Sequence, residues 1–136
     1  MEKLLIVEDE QDLREALQSI LELAGYEVLT AKNGKDGYDA IMTHLPDLVL
    51  CDVNMPELDG FELLSAINQR LSEEIVPPFI FLTAKVTKND VRRGMNLGAD
   101  DYIVKPFEYT EVLTAIRLRL DKRKKLLKNG KNNRIL

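Results

Sequence analysis

Five polar residues of this chain stand where apolar runs end: Glu8 and Asp9 after LLIV, Asp52 after LVLC, Thr83 after FIFL and Lys105 after YIV. Three carboxylates brought to one place repel each other. At about 4 Å and an effective dielectric near 20, each like-charged pair costs roughly 4 kcal/mol, so such a cluster needs a cation or protons. A hydroxyl and a lysine add groups that meet an anion. Acids for a cation with a lysine and a hydroxyl for an anion describe a site for a metal ion and a phosphoryl group. The small hard ion that prefers one or two carboxylates plus phosphate oxygens and water is Mg²⁺, with Mn²⁺ as a substitute. These residues converge if the runs are neighbouring parallel strands, because the carboxyl ends of an open parallel sheet face one ligand-binding crevice.

The elements that must position them alternate between strand and helix patterns along the chain, the signature of βαβ units and an α/β fold. Leu4 to Val7, Leu48 to Cys51 and Phe79 to Leu82 are apolar at every position, as strands covered on both faces must be, and are read as central strands. Tyr26 to Ala31 alternates and contains Glu27 and Thr30, while Asp101 to Val104 is short; both are read as edges. Apolar residues three and four apart mark helix faces: Leu13, Leu17, Ile20, Leu21 and Ala24, then Gly37, Ala40 and Ile41, then Leu63, Leu64, Ile67 and Leu71. Asn33 with Asp36, and Thr87 with Asp90, have the form of helix starts. Gly25 and Gly98 fall where C-caps belong. Met95 is read as a core residue of the fourth helix. The last helix is expected to begin near Tyr109, to bury Val112, Leu113, Ile116 and Leu120, and to run on from Asp121 through Lys122, Arg123, Lys124 and Lys125 until Gly130, Asn132 and Asn133 end it. This divides the chain into a domain over residues 1–121 and a basic helical extension over 122–136.

A chain of 136 residues has room for one such domain and one real core. Its 45% hydrophobic and 31% charged residues exclude a disordered polymer. No apolar stretch approaches the roughly 20 residues needed to span a bilayer, and MEKLLIVEDE turns acidic where a secretory signal would be apolar. The expectation is a cytoplasmic protein without membrane contact. Cys51, the one cysteine, can form no intramolecular disulfide and is read as buried core. Residues 111–136 hold nine Lys or Arg against two acids, a balance of +7 in a chain of net charge −4, which leaves −11 for the body. That asymmetry is read as a solvated helix end rather than a nucleic-acid or membrane contact.

Other chemistries fail on spacing. Asp52, Asn54 and Asp59 look like part of a calcium loop, but Pro56 and Glu57 stand where that loop needs a ligand and a glycine. Neither G-x-x-x-x-G-K-[ST] nor G-x-G-x-x-G occurs, so nucleotide binding has no support. His44 is read as an exposed partner of a helix C-terminus rather than a base.

With IVEDE, CDVNMPELDG, FLTAK and GADDYIVKPF in this order, the chain over about residues 2–121 closely resembles the receiver domain of two-component response regulators. The resemblance implies a flavodoxin-like, doubly wound five-stranded parallel sheet of order 2-1-3-4-5 with five helices, an order for which a receiver protein is itself one of the standard examples. It implies that Asp52 is the phosphoacceptor, attacking a phosphohistidine of a sensor histidine kinase or phosphotransfer protein, or a small phosphodonor. Asp9 and Asp52 would ligate Mg²⁺ directly, the Asn54 carbonyl would be a third ligand, and Glu8 would act mainly through water. Lys105, on a cis bond to Pro106, would pair with the phosphoryl oxygens and Thr83 would hydrogen-bond to them. Thr83 and Tyr102 would form the switch, and Asn54 and Lys85 would tune hydrolysis of the acyl phosphate.

The function so implied is a phosphorylation-dependent switch that catalyses its own modification and passes a signal to an effector or output domain, without binding nucleic acid itself. The alternative from another class is a Mg²⁺-dependent phosphohydrolase using an aspartyl phosphate. It lacks a second aspartate two residues after Asp52 and a cap segment to hold a substrate. A receiver-like scaffold that never accepts phosphate is a third reading. Leu113, Ile116, Leu120 and Leu127 trace a heptad seam broken at Arg123, too short for a coiled coil. Assembly is therefore expected as a weak homodimer through the face of Tyr102 and the last helix, tightening on phosphorylation.

Overall fold

Runs that are apolar at every position form the middle of the sheet, and the shorter or alternating runs form its edges. The computed structural model describes residues 1–84 and 87–135, with side chains of the last helix described as far as residue 128. Strands β1 (Lys3–Val7), β2 (Glu27–Ala31), β3 (Leu48–Asp52), β4 (Phe79–Thr83) and β5 (Asp101–Val104) alternate with helices α1 (Gln11–Leu23), α2 (Gly34–His44), α3 (Gly60–Arg70), α4 (Lys88–Asn96) and α5 (Tyr109–Ile135). All neighbours pair in parallel, in the order β2-β1-β3-β4-β5. The flavodoxin-like expectation is met, with β2 and β5 as the edges.

Strand residues alternate between two cores. Leu5, Val7, Val49, Cys51, Phe79 and Phe81 pack with Ile41 of α2 and Phe61, Leu63, Leu64 and Ile67 of α3. Leu4, Ile6, Leu48, Leu50, Ile80 and Leu82 pack with Leu17 and Leu21 of α1 and Val112, Ile116 and Leu120 of α5. Each fully buried side chain of this size contributes about 1.5–3 kcal/mol, which is why both parities of β1, β3 and β4 are apolar. Register then delivers the polar ends together: Val7 pairs with Cys51, Asp52 with Leu82 and Thr83 with Val104.

The Asn33 side chain caps α2 by accepting from the Asp36 N–H, and Thr87 caps α4 by accepting from Asp90. Gly25 and Gly98 adopt φ of +100° and +96° after α1 and α4. His44 is exposed at the end of α2 and Cys51 is fully buried. Three expectations need correction. Met95 is exposed rather than core; the inward position of α4 is its neighbour Gly94, where a Cβ would press on Phe61, Tyr102 and Phe81. Ala24 lies exposed past the end of α1, beyond the face that buries Leu17 and Leu21. The backbone of α5 runs on to Ile135, because one glycine costs about 1 kcal/mol in a helix and no proline interrupts the surrounding run. The heptad seam is divided: Ile116 and Leu120 are spent on the domain's own core, and only Leu127 of that set is exposed.

Candidate functional site

Glu8 immediately follows β1, Asp52 ends β3, and the register of those strands sets them side by side. Carboxylate oxygens of Glu8, Asp9 and Asp52 all lie within 4.8 Å of one another. Glu8 and Asp52 are buried, and Asp9 is exposed at the rim. The Lys105 ammonium donates to Glu8 Oε1 and to Asp52 Oδ2, each at 3.3 Å. Its stem is placed by its own backbone N–H, which donates to the Thr83 carbonyl at 2.9 Å, and the bond to Pro106 is cis as expected. The other Asp52 oxygen accepts the Asn54 N–H at 3.1 Å.

One lysine does not satisfy two buried carboxylates. Burial, followed by the charge of Asp52, pushes the Glu8 carboxyl up to about 7 despite Lys105. Burial pulls the Lys105 ammonium down, but Asp52 and then Glu8 outweigh it and the net shift is upward. A carboxyl raised this far by burial and a neighbouring carboxylate marks a place where extra positive charge binds favourably. Oxygen-only donors and several carboxylates suit a hard divalent cation, so the chemistry of the donor set fits Mg²⁺ or Mn²⁺.

The segment after Asp52 turns back sharply beneath it. The Val53 carbonyl accepts the N–H groups of Met55 and Gly60, and Gly60 passes so close to Asp52 that a Cβ there would collide with the Asp52 carbonyl oxygen. Asp59 then starts α3 with a full capping box: its side chain accepts from the Glu62 N–H while Glu62 accepts from the Asp59 N–H. Asp59 is thus spent on the helix and not on a cation. The D-x-x-E spacing of a capping box was present in the sequence as a signal for this.

Thr83 is fully buried at the end of β4. Tyr102 is half-buried on β5, its ring edge-on to Phe81 with centroids 6.2 Å apart, beneath Gly94 of α4. Burial, then Asp90 and Asp52, push its phenol up to about 12, so it stays a neutral hydrogen-bonding group at ordinary pH. Asn54 is exposed at the rim. Lys85 lies outside the described residues. Arg14, which no pattern in the sequence singles out, donates to the Glu8 carbonyl at 2.8 Å.

The sequence model of the response regulator receiver domain matches residues 4–117. The chain belongs to this family. As a receiver it is 47% identical over 117 residues to the transcriptional regulatory protein DltR of Streptococcus agalactiae, a match covering 86% of this chain and 51% of that protein. It is 43% identical to the transcriptional regulatory protein PcoR of Escherichia coli, over 86% of this chain and 50% of that one. The receiver spans about half the length of these curated relatives. Among solved structures, a CheY-like receiver domain protein from Methanospirillum hungatei superposes with a TM-score of 0.86 at 30% identity, covering 92% of this chain and 98% of that one. The chemotaxis protein CheY4 of Vibrio cholerae superposes at 0.81 and 30% identity, over 88% and 98% of the two chains. The sheet order is therefore that of a two-component receiver. No helix among the described residues is long and apolar enough to cross a membrane.

Proposed function

We propose that this receiver takes a phosphoryl group on Asp52 from a histidine kinase or phosphotransfer protein and uses the added charge to switch its Tyr102 face. The observation that carries the reading is the Lys105 ammonium shared between Glu8 and Asp52 at 3.3 Å, beside an Asp9 whose carboxylate completes an oxygen cluster. Asp9 and Asp52, with the Asn54 carbonyl, are the groups to hold Mg²⁺, and Glu8 joins them through water. Bound there, Mg²⁺ would supply positive charge against the oxygens of the incoming phosphoryl group.

The Asp52 carboxylate oxygen attacks phosphorus in line; the P–O bond forms as the P–N bond of the phosphohistidine breaks and the imidazole leaves. Lys105 transfers its ion pair from carboxylate to phosphoryl oxygen, and the Thr83 hydroxyl turns to the same group. Tyr102 follows by repacking beneath Gly94. Asn54 and Lys85 then set how readily water reaches the acyl phosphate. The downstream partner is an effector or output domain, met through a face that also forms a weak homodimer when phosphorylated, in a cytoplasmic signalling pathway.

Intact-mass measurement after incubation with acetyl phosphate tests the chemistry. Wild type should gain one phosphoryl group with Mg²⁺ and none in EDTA, and Asp52→Asn should gain none in either. Equal uptake by the variant would move the acceptor elsewhere. Sedimentation with and without beryllofluoride, before and after truncation at Asp121, tests the assembly. A tight unmodified dimer lost on truncation would place assembly in the α5 extension instead.

A further inference from the structure

Two of the three acids sit on the loop between β1 and α1, and that loop enters its helix without the device used elsewhere in the fold. Asn33, Asp59 and Thr87 each cap their helix with a side-chain oxygen. At the start of α1 the corresponding residue is Glu10, and its side chain makes no capping bond. An uncapped helix start leaves backbone donors to water and the preceding loop loosely specified. For an acidic loop this matters more than for others, since mutual repulsion of Glu8, Asp9 and Asp52 drives it outward.

Besides the Lys105 bond to the Glu8 side chain, two residues hold the main chain of the loop among the described residues. The Glu8 N–H donates to the Ala31 carbonyl at 3.0 Å, which fixes the side nearest the sheet. Beyond that point the hold comes from Arg14, whose Nη1 donates to the Glu8 carbonyl at 2.8 Å and reaches the Asp9 carbonyl at 3.5 Å. Side chains on a helix lean toward its N-terminus, so a long residue at the fourth position of α1 can fold back over the loop that precedes it. A cation in that position is opposed by the helix dipole. What Arg14 gains there is a pair of main-chain oxygens. It pairs with carbonyls and takes up no carboxylate oxygen of the cluster.

We infer that Arg14 is a positioning residue for the acidic site: it holds the Glu8–Asp9 main chain in place so that the Asp9 carboxylate is already beside Asp52 when a divalent cation arrives. The inference rests on the reading of this cluster as a metal site. Its physical content is preorganisation, in which loop order that the protein supplies beforehand is not lost from the binding free energy. Outer partners of metal ligands typically account for roughly 10- to 100-fold in affinity.

The sign of one measurement separates this role from the two simpler ones. If Arg14 acted only through its charge, removing it would make the site more negative and tighten cation binding. If it only stabilised the fold, stability would fall while cation affinity stayed the same. Positioning requires affinity itself to fall. Mn²⁺ binding to the full chain, followed by electron paramagnetic resonance, should weaken roughly tenfold in Arg14→Met, which keeps the apolar stem and loses the donors. Arg14→Lys, with one ammonium able to reach one carbonyl, should recover part of the loss. If Arg14→Met does not fold, Arg14→Gln, uncharged with an amide donor, decides by the same sign. Affinity equal to or above wild type in these neutral variants, with Asp9→Asn clearly weakened, overturns the role of Arg14 alone. Wild-type affinity in Asp9→Asn overturns the metal-site reading itself, and the inference with it.

Discussion

The two ends of the sheet each hold carboxylates at strand termini, and they use them in opposite ways. At the amino end Asp47 and Asp100 are each matched to a main-chain donor. Asp47 accepts the Lys3 N–H at 2.7 Å while its own N–H donates to the Lys3 carbonyl. Asp100 accepts the Phe79 N–H at 2.9 Å and faces Arg119, Lys122 and Arg123. Arg123 in turn donates to the Val76 carbonyl at 2.9 Å, which ties the start of the α5 extension to the body. At the carboxyl end two buried acids, Glu8 and Asp52, share one lysine, with the Asp9 carboxylate beside them. A cleft of about 630 Å³ opens beside Asp100, lined by acids and bases together, Glu73 and Asp100 with Arg119, Lys122 and Arg123. The charge that burial leaves unbalanced lies at the carboxyl end.

The largest expected effect is therefore a pH dependence that belongs to one end. The Glu8 carboxyl stands at about 7 in the folded protein against an ordinary 4.5. A carboxyl whose folded value is raised binds its proton more tightly in the folded state, so its contribution to stability is complete below the unfolded value and is lost as pH rises through the folded one. In EDTA, wild type should lose about 3 kcal/mol relative to Glu8→Gln between pH 4.5 and pH 8, since each tenfold gain in proton affinity on folding is worth about 1.4 kcal/mol. Urea unfolding of both proteins across that range gives the difference directly. Mg²⁺ should restore the wild type. A constant difference over the whole range would show that Glu8 is not held in a desolvated, repelled state.

Next in size is Lys105→Ala in the metal-free protein at pH 8. Removing one partner of a buried pair costs about 3–5 kcal/mol, reduced here to roughly 2 because the lysine side chain is 22% exposed and Glu8 can take up a proton. The variant should also lose the change in amide exchange around Tyr102 that beryllofluoride produces in wild type. A full response without the lysine would remove it from the switch.

Much of this was legible from side-chain type and spacing. Continuous apolar runs identified β1, β3 and β4 because burial on both faces leaves no room for alternation, and the residue after each run marked the crevice. The roles given to Glu8 and Asp9 were harder to read. They are adjacent and chemically alike, and which of them sinks beside Lys105 depends on the pleat at the end of β1 and on a lysine 97 positions away in the chain. Met95 and Gly94 were exchanged for a similar reason. Periodicity favours the larger apolar residue, whereas the helix approaches Phe61, Phe81 and Tyr102 so closely at Gly94 that a Cβ would press on all three rings. The Arg14 contacts carry no periodic signal, since they join a side chain to main-chain oxygens.

The smallest effect lies at the amino end and completes the contrast. Burial raises the Asp100 carboxyl above its ordinary value, and the Phe79 N–H, Arg119, Lys122 and Arg123 offset part of that rise. The sign is the same as for Glu8: what proton binding contributes is lost as pH climbs past the folded value. Asp100→Asn keeps an oxygen for the Phe79 N–H and removes the desolvated charge, but it also gives up the attraction of three basic residues. These effects nearly cancel, so the variant should differ from wild type by less than about 1 kcal/mol at pH 8. Salt separates them. Raising ionic strength screens the partly exposed basic residues and leaves desolvation in place, so Asp100→Asn should gain on wild type as NaCl increases. The advantage of Glu8→Gln, set by burial and a buried neighbour, should barely move. A salt response of equal size at both positions would mean that the two ends differ only in how many charges they hold and not in how those charges are satisfied.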